Sequence, residues 1–167
     1  MNRVTLQPVA DNQWSVVAWL WQDLRHDLGT VVNGFPYADG RYQHSLLDCY
    51  PGQGKVGYLA WQPHPINGED APVALALVGG LDTSRYALDA FFVIPAARRL
   101  GLGTRLANEV LSKHPGAWEI GFQDVNIVAG AFWRRVAEAA WGHDWVETIE
   151  AVPGKPDVPA DHWIRTI

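Results

Sequence analysis

Residues 98–104 read Arg98-Arg99-Leu100-Gly101-Leu102-Gly103-Thr104. They follow a mostly apolar run with strand character, Leu88 to Ile94, and they open a segment with helical character, Thr104 to Ser112. Glycine at positions 101 and 103 lets the backbone turn tightly with accessible N–H groups, and the positive end of the helix dipole points to the same place. The stretch therefore predicts a turn that binds an anion such as a phosphate group.

Two common phosphate-binding patterns do not fit this turn. The Walker pattern requires lysine followed by Ser or Thr after its last glycine, whereas Gly103 is followed by Thr104 and Arg105. The dinucleotide fingerprint requires a third glycine where this chain has Leu106. An ordinary tight turn at the start of a helix remains the simplest alternative.

The pattern Arg-x-x-Gly-x-Gly at 98–103, directly after Phe92-Val93-Ile94-Pro95, resembles motif A of the GNAT superfamily of acyl-CoA-dependent N-acyltransferases. A second stretch, Asn126 followed by Ala131-Phe132-Trp133-Arg134-Arg135, resembles motif B of the same family. The two motifs occur in the family's order and together cover about residues 86 to 142. The resemblance implies an α/β GNAT-like fold, a mixed central sheet of about six to seven strands flanked by helices, in a single N-acetyltransferase-like domain over residues 1–167.

The resemblance also implies a set of residues that bind the acyl donor, acetyl-CoA. In the family, the backbone amides of the motif A loop hold the pyrophosphate of coenzyme A, while the pantetheine arm enters where two neighbouring strands splay apart. These roles fall here on the backbone near Phe92 and Val93, on the loop from Arg98 through Thr104, and on Asn126 and Trp133. Trp133 is expected to shape the pocket for the thioester.

Asp89 is the candidate general base, because some family members carry a glutamate at the matching position of this strand. The general acid is less clear, because Trp133 stands where many relatives have tyrosine, and an indole N–H cannot replace a phenol as a proton donor that ionises. Four alternatives remain open: another donor such as Tyr37, Tyr42 or Tyr86, a water molecule, departure of the thiolate without help, or loss of catalysis.

Periodicity and turn formers place the remaining elements. We predict a helix capped by Asn12 and stopped by Gly29, and a short helix from Arg41 to Cys49. The inward face of the last helix, which Asn126 caps, is expected to carry Val128, Ala131, Phe132, Arg135 and Ala139. Strands are predicted at Val4 to Val9, Val56 to Trp61, Val73 to Leu81, Tyr86 to Ile94, Trp118 to Gln123, Trp145 to Glu150 and His162 to Thr166.

Composition limits the classes of function. The chain has 167 residues and a net charge of −5, without a basic cluster of the kind that binds nucleic acid. No apolar run reaches the roughly 18 residues that span a bilayer, so we expect no membrane partner and a cytoplasmic location. The six histidines and the lone Cys49 lack the spacing of a metal site, and no metal is expected.

From these observations we expect an enzyme that transfers an acetyl group from acetyl-CoA directly to a primary amine, the acceptor being a small molecule. Phe35 and Tyr37, in the loop after the first predicted helix, are the candidate acceptor-binding residues. A protein amino group as acceptor, or a non-catalytic acyl-CoA-binding or interaction module on the same fold, are the alternatives. A homodimer is left open.

Overall fold

A computed structural model describes residues 4–98 and 101–167 of the chain. Its centre is a seven-stranded sheet with the order β1-β2-β3-β4-β5-β7-β6, in which every neighbouring pair is antiparallel except β4 with β5. The strands are β1 (Thr5–Pro8), β2 (Val56–Pro63), β3 (Asp70–Gly79), β4 (Arg85–Val93), β5 (Ala117–Gln123), β6 (Trp145–Glu150) and β7 (Asp161–Thr166). The α-helices are α1 (Trp14–Val32), α2 (Leu102–Lys113) and α3 (Ile127–Trp141). The architecture confirms the predicted mixed α/β sheet flanked by helices.

The helices cover opposite faces of the sheet, because successive strand residues point to opposite sides. On one face, Leu59 and Leu75 pack with Val17 and Trp21 of α1. On the other face, the neighbouring residues of the same strands, Tyr58 and Ala76, pack with α2 and α3. A cavity that passes between two strands would therefore join the α1 side to the side of α2 and α3.

Helix α1 does not end at Gly29 as predicted. It continues to Val32 and ends at Asn33, which adopts the left-handed conformation with φ +51° and donates its N–H to the carbonyl of Gly29. A Cβ at position 29 would lie 3.0 Å from the carbonyl oxygen of Gly34. The position is therefore crowded by the local turn that ends the helix, which a glycine tolerates in spite of its low helix propensity.

The predicted helix from Arg41 to Cys49 is also wrong, since only Leu47–Cys49 form a short 3-10 turn. The reason lies in α1. The side chain of Gln22 donates to the carbonyl of Tyr42 at 3.1 Å and accepts from its N–H at 2.6 Å. Because the backbone groups of Tyr42 are paired with a side chain of another element, they do not enter a helical ladder.

The predicted inward face of α3 is rotated away from the observed one. The buried residues are Gly130, Trp133, Val136 and Ala137, whereas Val128 is 82% exposed. The helix is apolar on nearly all sides, so both sets of positions fit helical spacing and periodicity does not choose between them. Packing of the Trp133 ring into the core fixes the rotation, its centroid lying 5.3 Å from that of Phe91.

Within residues 4–98 and 101–167, no helix combines the length and the apolar composition needed to cross a membrane.

Candidate active site

Strands β4 and β5 are hydrogen-bonded along only part of their length. Their parallel register runs from Arg85 opposite Ala117 to Leu88 opposite Ile120 and stops there. Beyond this point β4 remains paired with β3 as far as Val93, and β5 remains paired with β7 as far as Gln123. The two strands therefore diverge at the centre of the sheet and leave a gap, as the resemblance to motif A implies.

The backbone of β4 lines this gap with alternate residues. Ile94 donates its N–H to the carbonyl of Val73 on β3 at 3.0 Å. Because the N–H and C=O of successive strand residues point to opposite sides, those of Val93 and Phe91 face the gap, whereas those of Phe92 face β3. An extended ligand in the gap would therefore meet the backbone of Phe91 and the N–H of Val93, whose carbonyl already accepts from Nε of Arg98 at 2.8 Å.

A cavity of about 180 Å³ occupies the gap. Its walls come from four elements: α1 on one side of the sheet, β4 and β5 at the gap, and the start of α3 on the other side. The lining residues are Trp21, Leu24, Arg25 and Leu28 of α1, Leu88, Asp89, Ala90 and Phe91 of β4, Ile120, Gly121, Phe122 and Gln123 of β5, with Asn126, Ala129 and Trp133. Most of the lining residues are apolar, but polar atoms contribute at least as much of the cavity surface, and Asp89 and Arg25 bring opposite charges to the lining.

Asp89 reaches the cavity from an irregular point of β4. Leu77 of β3 pairs with Ala90 and the next residue, Val78, pairs with Leu88, so Asp89 is the extra residue of a β-bulge. Bulges redirect side chains and are frequent beside active sites. The carboxylate is 22% exposed, and the nitrogen of Lys55 lies 4.0 Å from it.

Tyr50 holds this carboxylate in place. Its hydroxyl donates a 2.6 Å hydrogen bond to Oδ2 of Asp89. Burial, and then the hydrogen bond to Asp89, raise the pKa of the Tyr50 hydroxyl well above its usual range, so Tyr50 stays protonated and acts as a donor. Sequence reasoning did not find Tyr50, because it lies in an irregular segment 39 residues from its partner and belongs to no motif.

The predicted anion-binding turn is at the N-terminus of α2. Gly101 precedes the first helical residue and has φ +72°, a conformation that glycine adopts without strain. The N–H of Arg105 donates to the carbonyl of Gly101 at 3.1 Å and closes the first helical turn. The N–H groups of Leu102, Gly103 and Thr104 therefore belong to the turn that points its donors away from the helix.

The described side chains nearest this turn belong to the core and to α3. Leu102 is buried in the core, so only its backbone is available to a ligand. A Cβ at Gly103 would lie 3.4 Å from the ring of Phe132, which shows how closely α3 approaches the turn. Arg99 and Leu100, which we also predicted to bind the cofactor, lie outside the described residues.

The guanidinium of Arg98 is already engaged. It donates to the carboxylate of Asp27 at 2.7 Å and, through Nε, to the carbonyl of Val93 at 2.8 Å. Arg98 thus ties the end of β4 to α1. It would have to share these partners in order to contact a phosphate.

Asn126 and Trp133 both line the cavity, as their membership of motif B implies. Asn126 precedes α3, and its side-chain oxygen accepts from the N–H of Ala129 at 3.1 Å, which confirms the predicted cap. The Trp133 ring packs edge-on against Phe91 and Phe132, with ring centroids 5.3 and 4.7 Å apart. Trp133 is therefore a rigid apolar wall at the gap.

The structure does not bring the predicted acceptor residues to this cavity. Phe35 and Tyr37 are 79% and 61% exposed and lie in the loop after α1, outside the lining of the cavity. The other tyrosines considered as acids are also elsewhere. Tyr42 contacts His26 at 3.0 Å, and Tyr86 packs against Trp118 near the opposite end of β5. In the described parts of the chain, no tyrosine lines the cavity.

Comparison with known proteins agrees with this geometry. Residues 14–137 match the acetyltransferase (GNAT) family, and the chain belongs to that family. No curated protein matches the chain by sequence.

Solved structures of low sequence identity share the fold. Arabidopsis thaliana NAA60 in complex with acetyl-CoA has a TM-score of 0.66 at 12% identity, with 98% of this chain and 97% of that chain covered. A Bacillus subtilis acetyltransferase in complex with CoA has a TM-score of 0.56 at 13% identity, with 99% and 98% covered. A spermidine N-acetyltransferase chimera from Vibrio cholerae and hSSAT has a TM-score of 0.61 at 9% identity, with 98% and 95% covered.

Proposed function

We propose that this protein transfers an acetyl group from acetyl-CoA directly to the primary amine of a small molecule. The observation that carries the proposal is the cavity between β4 and β5, which is lined by Asp89 of β4 and by residues from elements on both faces of the sheet. Membership of the GNAT family supports the reaction class. NAA60 and the Bacillus subtilis acetyltransferase, which share the fold, hold acetyl-CoA and CoA respectively.

The residues at the gap fit such a donor. The turn at Gly101 and Gly103 offers helix N-terminal N–H groups to a pyrophosphate, and the backbone of Val93 and Phe91 faces the gap where an extended arm would lie. Acetyl-CoA supplies a thioester: an amide bond forms between the amine nitrogen and the acetyl carbon, the carbon–sulfur bond breaks, the amine loses a proton, and CoA leaves as the thiol.

Asp89 is proposed as the group that accepts the amine proton. Asp89 is one of the residues that line the cavity, and the Tyr50 hydroxyl holds its carboxylate in one orientation. A general base must lie within reach of the proton that it removes, directly or through one water molecule. The proton that the leaving sulfur gains is proposed to come from solvent, because Trp133 stands at the family's tyrosine position and has no ionisable hydroxyl.

A small acceptor is favoured over a protein chain by the size of the cavity. At about 180 Å³ it lies below the usual range of roughly 300–1,000 Å³ for ligand pockets. Its mostly apolar lining residues favour an acceptor of compact, partly apolar shape.

Titration calorimetry tests the donor site. We expect the protein to bind acetyl-CoA and the Gly103→Trp variant to lose this binding, because an indole at position 103 would fill the space beside Phe132. Gly103→Ala is the matched control, since its Cβ would make only ordinary contacts at 3.4 Å and beyond. Thermal unfolding of both variants checks the fold. Absence of binding by the unmutated protein would refute the proposed donor.

Release of CoA thiol across a panel of small amines tests the transfer itself. We expect release that depends on the amine, together with an acetylated product identified by mass spectrometry. Binding of acetyl-CoA without transfer to any amine or amino-terminal peptide would instead assign the protein as an acyl-CoA-binding module.

A further inference from the structure

One face of α1 lines the candidate active site. Trp21, Leu24, Arg25 and Leu28 recur at helical spacing, and all four line the cavity. Three are apolar, and Arg25 is the one charged residue among them. We propose that Arg25 binds an anionic group, a carboxylate, on the acceptor, so that the acceptor is an amino acid or a similar amine that carries a carboxylate. This inference rests on the proposed acetyl transfer.

One N–H of the Arg25 guanidinium lacks the hydrogen-bond partner that burial would normally require. Arg25 is half-buried, and its Nε is buried without a partner among the described residues. Buried polar groups are nearly always hydrogen-bonded, and leaving one unpaired is costly. Because Arg25 also lines the cavity, a ligand bound there could supply the missing acceptor.

Other arginines of the chain have carboxylate partners within the protein. Arg98 pairs with Asp27 at 2.7 Å and Arg134 pairs with Glu147 at 2.6 Å. The carboxylate of Asp27, two residues along α1 from Arg25, is thus already bound by Arg98. Arg85, Arg98, Arg134 and Arg165 each donate to carboxylate, hydroxyl or carbonyl oxygens of described residues.

The charges at the two walls of the cavity suit an acceptor with two charged ends. Asp89 on β4 would receive the proton of the ammonium group, and Arg25 on α1 would hold a negative group. In the described structure no ion pair within 4.0 Å joins Arg25 to Asp89, whereas Asp89 accepts from Tyr50 and lies 4.0 Å from Lys55. A carboxylate can accept several hydrogen bonds, so a ligand amine would share Asp89 with these partners. The planar guanidinium matches a carboxylate with two parallel hydrogen bonds.

The apolar remainder of the lining indicates the rest of the acceptor. Leu24, Leu28 and Trp133 would surround an uncharged side chain. The small cavity favours a carboxylate over the bulkier phosphonate or phosphate group, which carries the same sign of charge. An amino acid with an apolar side chain meets these requirements.

The phosphates of the acyl donor are a second source of negative charge that Arg25 could bind. Helix α1 packs on the face of the sheet opposite α2, and the N-terminus of α2 carries the turn at Gly101 and Gly103. Asp27, two residues from Arg25 on the same helix, nevertheless pairs with Arg98 just before this turn at 2.7 Å, so position in the fold does not choose between the two sources. The affinity for acetyl-CoA distinguishes the two.

The experiment compares acceptors that differ only in the anionic group. Acetyl transfer is measured with L-leucine, L-leucinamide and the phosphonate analogue of leucine, and again with the methionine and phenylalanine pairs of acid and amide. The variants are Arg25→Met and Arg25→Lys. Arg41→Met, which removes an exposed arginine paired with Asp39, is the matched control. Differences in amine basicity cancel because each variant is compared with the unmutated protein on the same acceptors.

We expect the ratio of kcat/KM for acid over amide to fall about tenfold or more in Arg25→Met, as loss of a charge-assisted hydrogen bond implies. Arg25→Lys should restore part of the ratio, Arg41→Met should leave it unchanged, and acetyl-CoA affinity should be equal in all variants.

Three results would overturn the inference alone. The first is a ratio of kcat/KM for acid over amide that is the same in Arg25→Met as in the unmutated protein. The second is a preference for the phosphonate, and the third is a loss of acetyl-CoA affinity in Arg25→Met with that ratio unchanged. Failure of the unmutated protein to acetylate any of these acids or amides, with transfer to other amines of the panel, would also overturn the inference alone. Failure with every small amine would overturn the proposed small-molecule transfer, and the inference with it.

Discussion

The hydroxyl of Tyr50 donates a 2.6 Å hydrogen bond to the carboxylate of Asp89, joining the segment before β2 to the bulge of β4. This pair combines a buried donor with the only acidic side chain in the described lining of the cavity. The effect of the hydrogen bond on stability is tested by changing Tyr50, and the role of the carboxylate in activity is tested by changing Asp89.

Tyr50→Phe removes the hydroxyl alone and leaves the ring in the core. We expect the free energy of unfolding to fall by about 1.5 to 3 kcal/mol, the usual contribution of a hydrogen bond to a charged group. Tyr42→Phe is the matched control, because its hydroxyl pairs with His26 at the surface and its loss should change stability by less than about 0.5 kcal/mol. Urea denaturation measures both. Equal changes in the two variants would contradict a special role for the Tyr50 hydrogen bond.

Asp89→Asn keeps the shape of the side chain and its ability to accept from Tyr50, but it cannot take up a proton. We expect kcat/KM for amine acetylation to fall about 100-fold or more, as loss of a general base implies, with the affinity for acetyl-CoA unchanged. Asp70→Asn, an exposed aspartate at the start of β3, is the control. Activity near that of the unmutated protein would place the base elsewhere.

Gly101→Ala tests whether the turn before α2 needs its left-handed backbone. At φ +72° an alanine costs about 1 to 2 kcal/mol, and no atom of the described residues lies within 4 Å of its Cβ. We expect lower stability and, because the first turn of α2 must shift, weaker binding of acetyl-CoA in calorimetry.

Gly40→Ala is a closely matched control, because Gly40 has φ +82° and equally open surroundings in an exposed turn. It should lose similar stability without any change in affinity. Weakened binding in both variants would show that the effect on Gly101→Ala is not local to the turn.

His162 predicts a pH dependence of stability. It lies between Asp124 at 2.7 Å and Glu147 at 2.5 Å, and hydrogen bonds to Asp124 first and then to Glu147 raise its pKa above the ordinary value of 6.5. A charged imidazole donates to both carboxylates, whereas a neutral one donates to only one of them. The stabilisation is therefore complete below 6.5 and is lost as pH rises through the higher folded-state pKa.

Urea denaturation between pH 6 and 9 measures this effect. We expect the free energy of unfolding to decline with rising pH in the unmutated protein and to decline less in His162→Gln. His143→Gln, which changes an exposed histidine, should follow the unmutated curve. A decline of the same size in His162→Gln would assign the pH dependence to other groups.

Local patterns predicted the elements that depend on near neighbours. Glycine at 101 and 103 before an amphipathic segment indicated the turn and α2, and Asn126 indicated the cap of α3, because turn and cap conformations are determined within a few residues. Strand-prone runs bounded by turn formers predicted all seven strands, with ends within a few residues of the observed ones.

The errors at Gly29 and Tyr42 have different origins. Gly29 was predicted to end α1, but the helix ends at the left-handed Asn33, and the chain passes close to Gly29 at Gly34, only five residues on. That end is local, and Asn33-Gly34 is the turn signal that marks it. Tyr42 was predicted to be helical, but Gln22 of α1, 20 residues away, binds its backbone, and this contact leaves no mark on the sequence near Tyr42.

The sequence by itself determined which family the motifs resemble and where the glycine-rich turn before α2 lies. It also placed Asp89 on the strand that leads to this turn. Only the tertiary structure decided that β4 and β5 part at Leu88 and Ile120, that Tyr50 holds Asp89, and that Arg25 reaches the same cavity from α1. Motifs depend on backbone geometry that neighbouring residues impose. The cavity depends on side chains from four separate elements, and the packing of α1 and α3 on opposite faces of the sheet brings them together.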